Sequence, residues 1–334
     1  MASNPPASNL DLINECDSFP HPTTSPQAYH AYTTTLYHLR VAAHPETTLG
    51  YILPDVAAVL HNLPDWEVDD ESIPRTITLI SGSNEAARSD VVARTTEAMR
   101  MTGHFKVLEK WRNELYPVYG PPSGASKKKE LLFSMERCAA PLFGIVTYGV
   151  HLTAYTRTTG ADGKDEYKIW VPRRARTKQT YGGMLDNTVA GGTATGEGFF
   201  ESLVRECDEE ASLPEELVRS KAKQCGTVTY FYIRNATAGG ETGLFQPECQ
   251  NVYDLELPSD GSVVPKPNDD EVEEFYHWSV SEVREALGKR EFKPNCALVI
   301  LDFLIRHGLI TVEDERDYLE ITTRLHRRLE FPLA

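Results

Sequence analysis

GGTATGEGFFESLVRECDEEASL, residues 191–213, is the stretch of this 334-residue chain that decides the fold. A glycine-rich turn leads into a segment with apolar residues at helical spacing. Glu206, Glu209 and Glu210 follow the spacing i, i+3 and i+4, which places three carboxylates on one helix face. The stretch therefore predicts a helix over 198–211 with one side packed on a sheet and the other side acidic.

The acidic side of this helix carries two electrostatic penalties. The three carboxylates repel each other, and each lies near the helix C-terminus, where the macrodipole disfavours an anion by a few tenths of a kcal/mol or more. A bound cation would relieve both penalties. Ligands made only of carboxylate oxygen suit Mg²⁺, with Mn²⁺ as a substitute. We therefore expect a divalent metal site here.

The residues around the acids predict a support for that site. An ion pair between Arg205 and Glu197 would join the loop to the helix and orient the ligands. Gly191 and Gly192 would let the backbone turn close to substrate phosphates.

This stretch resembles the Nudix box, G-x5-E-x7-R-E-U-x-E-E-x-G-U, in which U is a bulky aliphatic residue. Gly191 begins the match, Leu213 ends it, and the acids and the arginine fall at the required steps. Two positions depart from the pattern. Cys207 replaces an aliphatic residue, which buried Cys can do. Ser212 replaces the glycine at the helix end, where a left-handed conformation costs roughly 1 kcal/mol.

The resemblance implies a Mg²⁺-dependent hydrolase that cuts a diphosphate linkage. It implies Glu206 and Glu210 as the main metal ligands, and Glu209 as a further ligand or a water-positioning catalytic group. From the same resemblance, we also expect Arg205 to be a catalytic residue. Nudix enzymes often take the general base from outside the box, and KPNDDEVEEFYHW (266–278) offers Asp270, Glu271 and Glu274, of which we favour Glu271.

The segment WVPRRARTKQTYGGMLDN (170–187) places four cations shortly before the box. The candidates for holding a phosphate are Arg173, Arg174, Arg176 and Lys178. The alternative is that some of them only face solvent. Trp170 and Tyr181 could stack an aromatic ring, with core packing as the alternative for Trp170.

The rest of the chain predicts two domains. Strand patterns in the first part lie at 36–43, 75–81 and 130–137, with helices at 54–63 and 84–101 and a loop at 120–129. Further strand patterns lie at 144–156, 166–174, 225–234, 250–258 and 272–278, and later helices at 279–287, 295–307 and 313–328. Strands and helices mix without βαβ alternation, which favours an α+β class with a mixed sheet. With the resemblance, we predict a smaller α+β domain over 1–140 and a Nudix α/β/α sandwich over 141–334.

The resemblance extends to a eukaryotic Nudix group labelled thiamine-pyrophosphokinase-related, which has its own additional N-terminal domain. The segments that carry it are PRRARTKQTYGGMLDNTVAGG (172–192), ECDEEASLPEELV (206–218), GTVTYFY (226–232) and VYDLELP (252–258). It implies hydrolysis of thiamine diphosphate and its damaged oxo and oxy analogues to the monophosphate and phosphate. The alternatives are a hydrolase of nucleoside diphosphate sugars or ADP-ribose, a Nudix-fold binding protein without turnover, and a true thiamine pyrophosphokinase.

Composition excludes several other classes. The formal net charge of −15 disfavours nucleic acid as a partner. Six cysteines without CxxC pairs fit a reduced protein, and no apolar stretch reaches the length of a membrane span. The start shows neither a secretory nor a transit pattern. We expect a cytoplasmic protein, monomer or homodimer, whose partner is a small-molecule diphosphate.

Overall fold

The computed structural model describes residues 5–122 and 129–334. Up to residue 146 the helices and strands are, in chain order, α1 (Asn9–Cys16), α2 (Pro26–Thr33), β1 (Tyr37–Val41), β2 (Gly50–Ile52), α3 (Pro54–Leu60), β3 (Trp66–Asp69), β4 (Thr76–Leu79), α4 (Glu85–Met101), β5 (Leu115–Pro122), β6 (Lys129–Glu136) and α5 (Ala140–Phe143). The loop predicted at 120–129 therefore falls mostly on residues 123–128, which lie outside the described part.

The second part begins with the two long strands β7 (Thr147–Thr159) and β8 (Asp165–Arg174). The remaining elements are β9 (Val189–Gly192), α6 (Phe199–Ala211), α7 (Glu215–Lys221), β10 (Lys223–Ile233), β11 (Phe245–Glu256), β12 (Val272–Ser279), α8 (Val280–Gly288), α9 (Pro294–Arg306) and α10 (Tyr318–Leu325). The last predicted helix, 313–328, is shorter than expected because the backbone at 311–317 forms turns instead.

The N-terminal part has its own sheet and core. Its strands lie in the order β2-β1-β4-β3, with β1 and β4 parallel and the other pairs antiparallel. The hairpin of β5 and β6 packs beside α4. One apolar cluster fills this region, with Leu39, Ile77, Val92 and Phe143 fully buried.

The second part is built on a six-stranded mixed sheet. Its order is β10-β11-β7-β8-β12, and β9 pairs with β7. The β11–β7 pair is parallel, whereas the neighbouring pairs are antiparallel. Alternate side chains of β7 point to opposite faces, so that Val150 and Leu152 pack under α6 while Tyr155 joins the core under α9. This layered arrangement confirms the predicted α+β class with a mixed sheet.

The first helix departs from the predicted division at residue 140. Leu12 and Ile13 of α1 are buried in the core beneath α9, and Phe19 stacks on Phe231 of β10 with ring centroids 4.0 Å apart. Buried Asp17 accepts a 3.0 Å bond from Arg327, near the other end of the chain. Helix α1 is therefore part of the second core, and Phe19 packs in a further apolar cluster that Tyr51 of the N-terminal part shares with Phe231.

Two further findings bear on class and environment. Within residues 5–122 and 129–334, no helix combines the length and apolar character that crossing a bilayer requires. All six cysteines are free thiols, and five of them are buried.

Candidate active site

The glycine pair at the end of β9 brings the backbone against two functional side chains. Gly191 pairs with Val150, and Gly192 pairs with Gly149 of β7. A Cβ at Gly191 would lie 2.1 Å from Cδ of Glu206, and a Cβ at Gly192 would lie 2.0 Å from the hydroxyl of Tyr116. A side chain at either glycine would therefore have to displace the side chain that already occupies the space.

Helix α6 presents the acidic face that the sequence predicts. Leu203, Cys207 and Ala211 are fully buried against the sheet. The helix ends at Ser212, whose φ of 51° and ψ of 31° are left-handed, and whose N–H donates 3.1 Å to the carbonyl of Asp208. Serine therefore adopts the conformation that a C-terminal glycine usually supplies.

Arg205 holds the acids of this face together. Its Nε donates to Glu197 at 2.9 Å, and its Nη1 lies 2.8 Å from Glu209 and 3.0 Å from Glu206. In the described residues, no three Asp, Glu, His or Cys side chains are placed as a ready ligand set for a metal. Glu206 and Glu209 instead share the guanidinium, because a cation is the partner that both carboxylates need.

Burial makes two of the glutamates poor anions in this arrangement. Desolvation, together with the charges of Glu209 and Glu271, raises the pKa of Glu206 to about 7. Glu210 is buried and its Oε2 accepts the N–H of Ala190 at 2.9 Å. Desolvation and the charge of Glu206 raise its pKa well above the ordinary value. The pair therefore lies where added positive charge would be strongly stabilising.

A cavity of about 1020 Å³ opens beside this helix face. It brings together most of the predicted site residues, namely Arg174, Lys178, Gly191, Gly192, Glu197, Arg205, Glu206, Glu209, Glu210 and Glu271. Asp270 and the unpredicted Asp269 also line it. The box and the later acidic loop, far apart in sequence, thus face the same space.

Glu271 is held by Lys178 across this cavity, in a direct ion pair between the two side chains. Burial favours a higher pKa for Glu271, but the Lys178 ammonium outweighs it and lowers the pKa below its ordinary value. Glu271 is therefore ionised at neutral pH. Glu274 does not line the cavity, and its carboxylate bonds the hydroxyl of Tyr276 instead.

The four predicted phosphate-binding cations do not converge. Arg173 donates to the Tyr276 hydroxyl at 2.9 Å and to the Gly183 carbonyl at 2.8 Å, and it does not line the cavity. Arg174 is buried in an ion pair with Asp186. Arg176 is 84% exposed and also lies off the cavity. Only Lys178 both lines the cavity and reaches another predicted site residue.

A second, smaller cavity of about 190 Å³ adjoins the first, and the two share Ala190, Gly191, Gly192 and Lys293 in their walls. It lies between the mixed sheet and the N-terminal part. Five tyrosines line it, namely Tyr116, Tyr148, Tyr181, Tyr230 and Tyr232. Trp170 is elsewhere, stacked on His277 with ring centroids 4.3 Å apart.

Sequence reasoning missed Arg112, Arg137 and Lys293, which line both cavities. Tyr116 was missed as well. Arg112, Arg137 and Tyr116 come from the N-terminal part, where no sequence motif marks them. Lys293 directly precedes the proline that opens α9, and nothing else distinguishes it in the sequence.

The N-terminal part also fixes the loop of the box. The N–H of Thr195 donates 2.8 Å to the carbonyl of Leu115, one residue before Tyr116. Since Tyr116 also lies over Gly192, the N-terminal part contacts the box loop at two adjacent points. The candidate site is thus formed by both parts of the chain.

Comparisons with known proteins agree with this two-part architecture. Residues 34–147 match a family model described as a domain of unknown function, DUF4743, and residues 156–296 match the NUDIX domain. The uncharacterized protein YJR142W of Saccharomyces cerevisiae is 36% identical over 97% of this chain and 92% of that protein.

Nudix hydrolase 20, chloroplastic, of Arabidopsis thaliana is 38% identical over 72% of this chain and 59% of that protein. The chain therefore spans about three fifths of the length of that plant relative. Among solved structures, the NUDIX domain of Shewanella oneidensis NrtR complexed with ADP ribose is similar over 50% of this chain and 91% of that chain, with 13% identity and a TM-score of 0.35.

Proposed function

Because the chain belongs to the Nudix hydrolase family, whose members act on phosphoric anhydrides, we propose that it hydrolyses the diphosphate of a small organic molecule with Mg²⁺ as the cofactor. The observation that carries this proposal is the convergence of Glu206, Glu209, Glu210 and Glu271 on one cavity. Family members generally use divalent metal ions, and the roles below are assigned to this chain on that basis.

The side chains of α6 fit a Mg²⁺ site. Their donors are carboxylate oxygens, which this ion prefers. The raised pKa values of Glu206 and Glu210 support the same assignment, because added positive charge would favour their ionised forms. We assign these two as the main ligands, with Glu209 as a further ligand or a group that orients water. When bound, the ion would neutralise phosphate oxygens and lower the pKa of a water molecule.

The protein's own residues divide the remaining work. Glu271 is the proposed general base because it lines the cavity and its carboxylate is ionised at neutral pH, although its lowered pKa makes it a weaker base than one with a pKa near 7. Arg205 keeps the glutamates in position and is paired with Glu197, which joins the loop to the helix. Gly191 and Gly192 leave the backbone open to the substrate's phosphates.

The proposed substrate is thiamine diphosphate, or an oxidised analogue of it, cleaved to the monophosphate and phosphate. This finer proposal rests on the sequence resemblance over 172–192, 206–218, 226–232 and 252–258. We further propose that the domain up to residue 140 contributes to substrate specificity and that the domain over 141–334 carries out the reaction. Helix α1 is the exception, because it packs in the second core. The cytoplasmic location stays a prediction.

A panel of diphosphates tests the proposal. The wild-type chain is incubated with Mg²⁺ and thiamine diphosphate, oxothiamine diphosphate, ADP-ribose or a nucleoside diphosphate sugar, and the release of phosphate and monophosphate is measured. We expect a higher kcat/KM for the thiamine compounds. A higher kcat/KM for a nucleotide would refute thiamine diphosphate as the substrate. AMP release from ATP plus thiamine would indicate a thiamine pyrophosphokinase.

Matched variants of α6 test the catalytic assignment. Glu210→Gln removes one proposed ligand with almost no change of shape, and Asp208→Asn makes the same chemical change at an exposed position that does not line the cavity. We expect Glu210→Gln to lose Mg²⁺-dependent turnover by at least 100-fold, and Asp208→Asn to retain it. Equal turnover in both variants would refute Glu210 as a metal ligand, and a wild-type chain without Mg²⁺-dependent turnover would favour a binding protein over an enzyme.

A further inference from the structure

The diphosphate of a substrate needs cations besides the metal, and most of the cations predicted for this purpose are already engaged. Arg173 bonds Tyr276, Arg174 is paired with buried Asp186, and Lys178 is paired with Glu271. An anionic substrate entering the larger cavity would have to displace these partners. The cations that hold the phosphates are therefore expected at another part of the wall.

Lys293 and Arg112 both line the wall without an ion pair among the described residues, and Lys293 is the half-buried one while Arg112 is exposed. Lys293 lines both the glutamate-rich cavity and the tyrosine-lined one. Within residues 5–122 and 129–334, no carboxylate lies within 4.0 Å of its ammonium group, in contrast to Lys178 and Arg174. Its backbone is fixed, because its N–H donates 2.9 Å to the carbonyl of Leu185. The Lys293 ammonium helps lower the pKa of buried Asp186, but it makes no direct ion pair among the described residues, so it is suited to an anionic ligand.

Two arginines of the N-terminal part add positive charge to the same boundary. Arg112 and Arg137 line both cavities, as Lys293 does. Arg137 is paired with Glu114 at 2.8 Å, and Arg112 is close enough to Glu271 to help lower its pKa. Cations from both parts of the chain therefore line the boundary between the cavities, namely Arg112 and Arg137 from the N-terminal part and Lys293 from the second part.

The wall of the smaller cavity beyond this boundary is rich in tyrosine and also contains polar side chains, among them buried Glu248 and Gln250. Tyr116, Tyr148, Tyr230 and Tyr232 are all buried around it, and Tyr181 stands at its wall on the loop between β8 and β9. Tyrosine faces bind planar aromatic groups by stacking and edge contacts. With Mg²⁺ bound to the glutamates, the larger cavity would suit phosphates, whereas an aromatic group would suit the smaller one.

We propose that the diphosphate crosses the boundary between the cavities with Lys293 as its principal protein cation, while the planar aromatic part of the substrate lies among the tyrosines. This proposal rests on the proposed function in one respect, namely that the glutamate-lined cavity binds a diphosphate. It makes Lys293 and Tyr181 substrate-binding residues. It also makes the N-terminal part, through Tyr116 and Arg137, a wall of the substrate site.

Titration calorimetry with two probes tests the proposal in the presence of Mg²⁺. Methylenediphosphonate carries the phosphates without a ring, and thiamine monophosphate carries a ring. We expect Lys293→Met to weaken both probes by about 10- to 100-fold and Lys293→Arg to restore most of the affinity. Lys289→Met is the matched control, because Lys289 is exposed, paired with Glu285 and absent from both cavity walls.

The ring site is tested by Tyr181→Ala, which should weaken thiamine monophosphate about tenfold and leave methylenediphosphonate unchanged. Circular dichroism and thermal unfolding establish that each variant is folded, and Lys293→Gln replaces Lys293→Met if the latter is not. Wild-type affinity for methylenediphosphonate in a folded Lys293→Met or Lys293→Gln variant would overturn the proposal, as would equal losses for both probes in Tyr181→Ala.

The two proposals fail differently. A wild-type chain that binds methylenediphosphonate through Lys293 but hydrolyses no diphosphate would refute the enzyme and leave this inference standing. A wild-type chain that hydrolyses diphosphates, with unchanged binding in Lys293→Met, would refute only this inference. If the wild-type chain binds neither probe, this inference is refuted, and the enzyme is refuted as well only if the chain hydrolyses no diphosphate.

Discussion

Replacing Gly191 by alanine should damage catalysis while leaving the fold nearly intact. The added Cβ would lie 2.1 Å from Cδ and 2.2 Å from Oε1 of Glu206, whereas ordinary contacts begin at 3.4 Å. The carboxylate must therefore retreat by the difference between 3.4 and 2.1 Å, or about 1.3 Å. A misplacement of about 1 Å in a reacting group can cost on the order of 100-fold in rate. We expect a loss of kcat of that size.

Stability should change little in the same variant. The backbone of Gly191 is not left-handed, and the group that must move is the end of a flexible side chain. We expect the free energy of unfolding to fall by no more than about 1 kcal/mol. The measurements are Mg²⁺-dependent turnover of a diphosphate, Mn²⁺ affinity by calorimetry, and unfolding in urea.

Gly198→Ala is the matched control. Gly198 lies seven residues later in the same loop, has an ordinary φ of −78°, and would place its Cβ more than 4 Å from the neighbours considered. Its kcat and Mn²⁺ affinity should match those of the wild type. If Gly191→Ala keeps kcat within threefold of Gly198→Ala, the placement of Glu206 against Gly191 does not matter for the chemistry, and the reasoning fails.

Three further changes have expected outcomes. Ser212→Gly relieves the left-handed serine at the end of α6, so urea unfolding should show a gain of roughly 0.5–1 kcal/mol with unchanged turnover. Asp17→Asn leaves buried Arg327 without its main partner, and should cost about 3 kcal/mol in urea at pH 7. Burial alone would raise the pKa of Asp17, but the bonds to His21 and Arg327 hold that pKa below 3.8. The stability that the Asp17 carboxylate contributes should therefore be present above pH 3.8 and lost as the pH falls through the lower pKa. Burial raises the pKa of Glu206 from 4.5 to about 7, so metal-free protein should lose about 3 kcal/mol of stability as pH rises from 4.5 through 7. Mg²⁺ or Glu206→Gln should remove that loss, and a pH-independent urea midpoint in metal-free wild type would contradict it.

The acidic helix could be predicted from sequence because its information is local. The spacing of Glu206, Glu209 and Glu210 fixes a shared face, and the pairing of Arg205 with Glu197 follows from the box pattern. The long strands were also predicted, since their alternation reports burial on a sheet. Short pieces such as β2, β3 and β9 were not predicted, because three or four residues carry too little periodicity.

The phosphate-binding cations were harder to predict because charge in sequence does not show which partner a side chain finds. Arg173 and Arg174 lie close to the box along the chain, but one bonds Tyr276 and the other is buried with Asp186. Lys293 is about 80 residues after the box and reaches the cavity because residues 292–293 pair with Leu185, in the segment before β9. Such a position depends on tertiary packing, which single-residue patterns do not contain.

The packing of α1 in the second core, and of Phe19 on Phe231, has a practical consequence for shortened versions of the protein. The two matched regions, 34–147 and 156–296, both omit this segment, and both omit Arg327. A fragment cut at those limits would lose residues 297–306 of α9 together with α1, and would leave Phe231 without its stacking partner. Trimming to the matched regions should therefore yield aggregating protein.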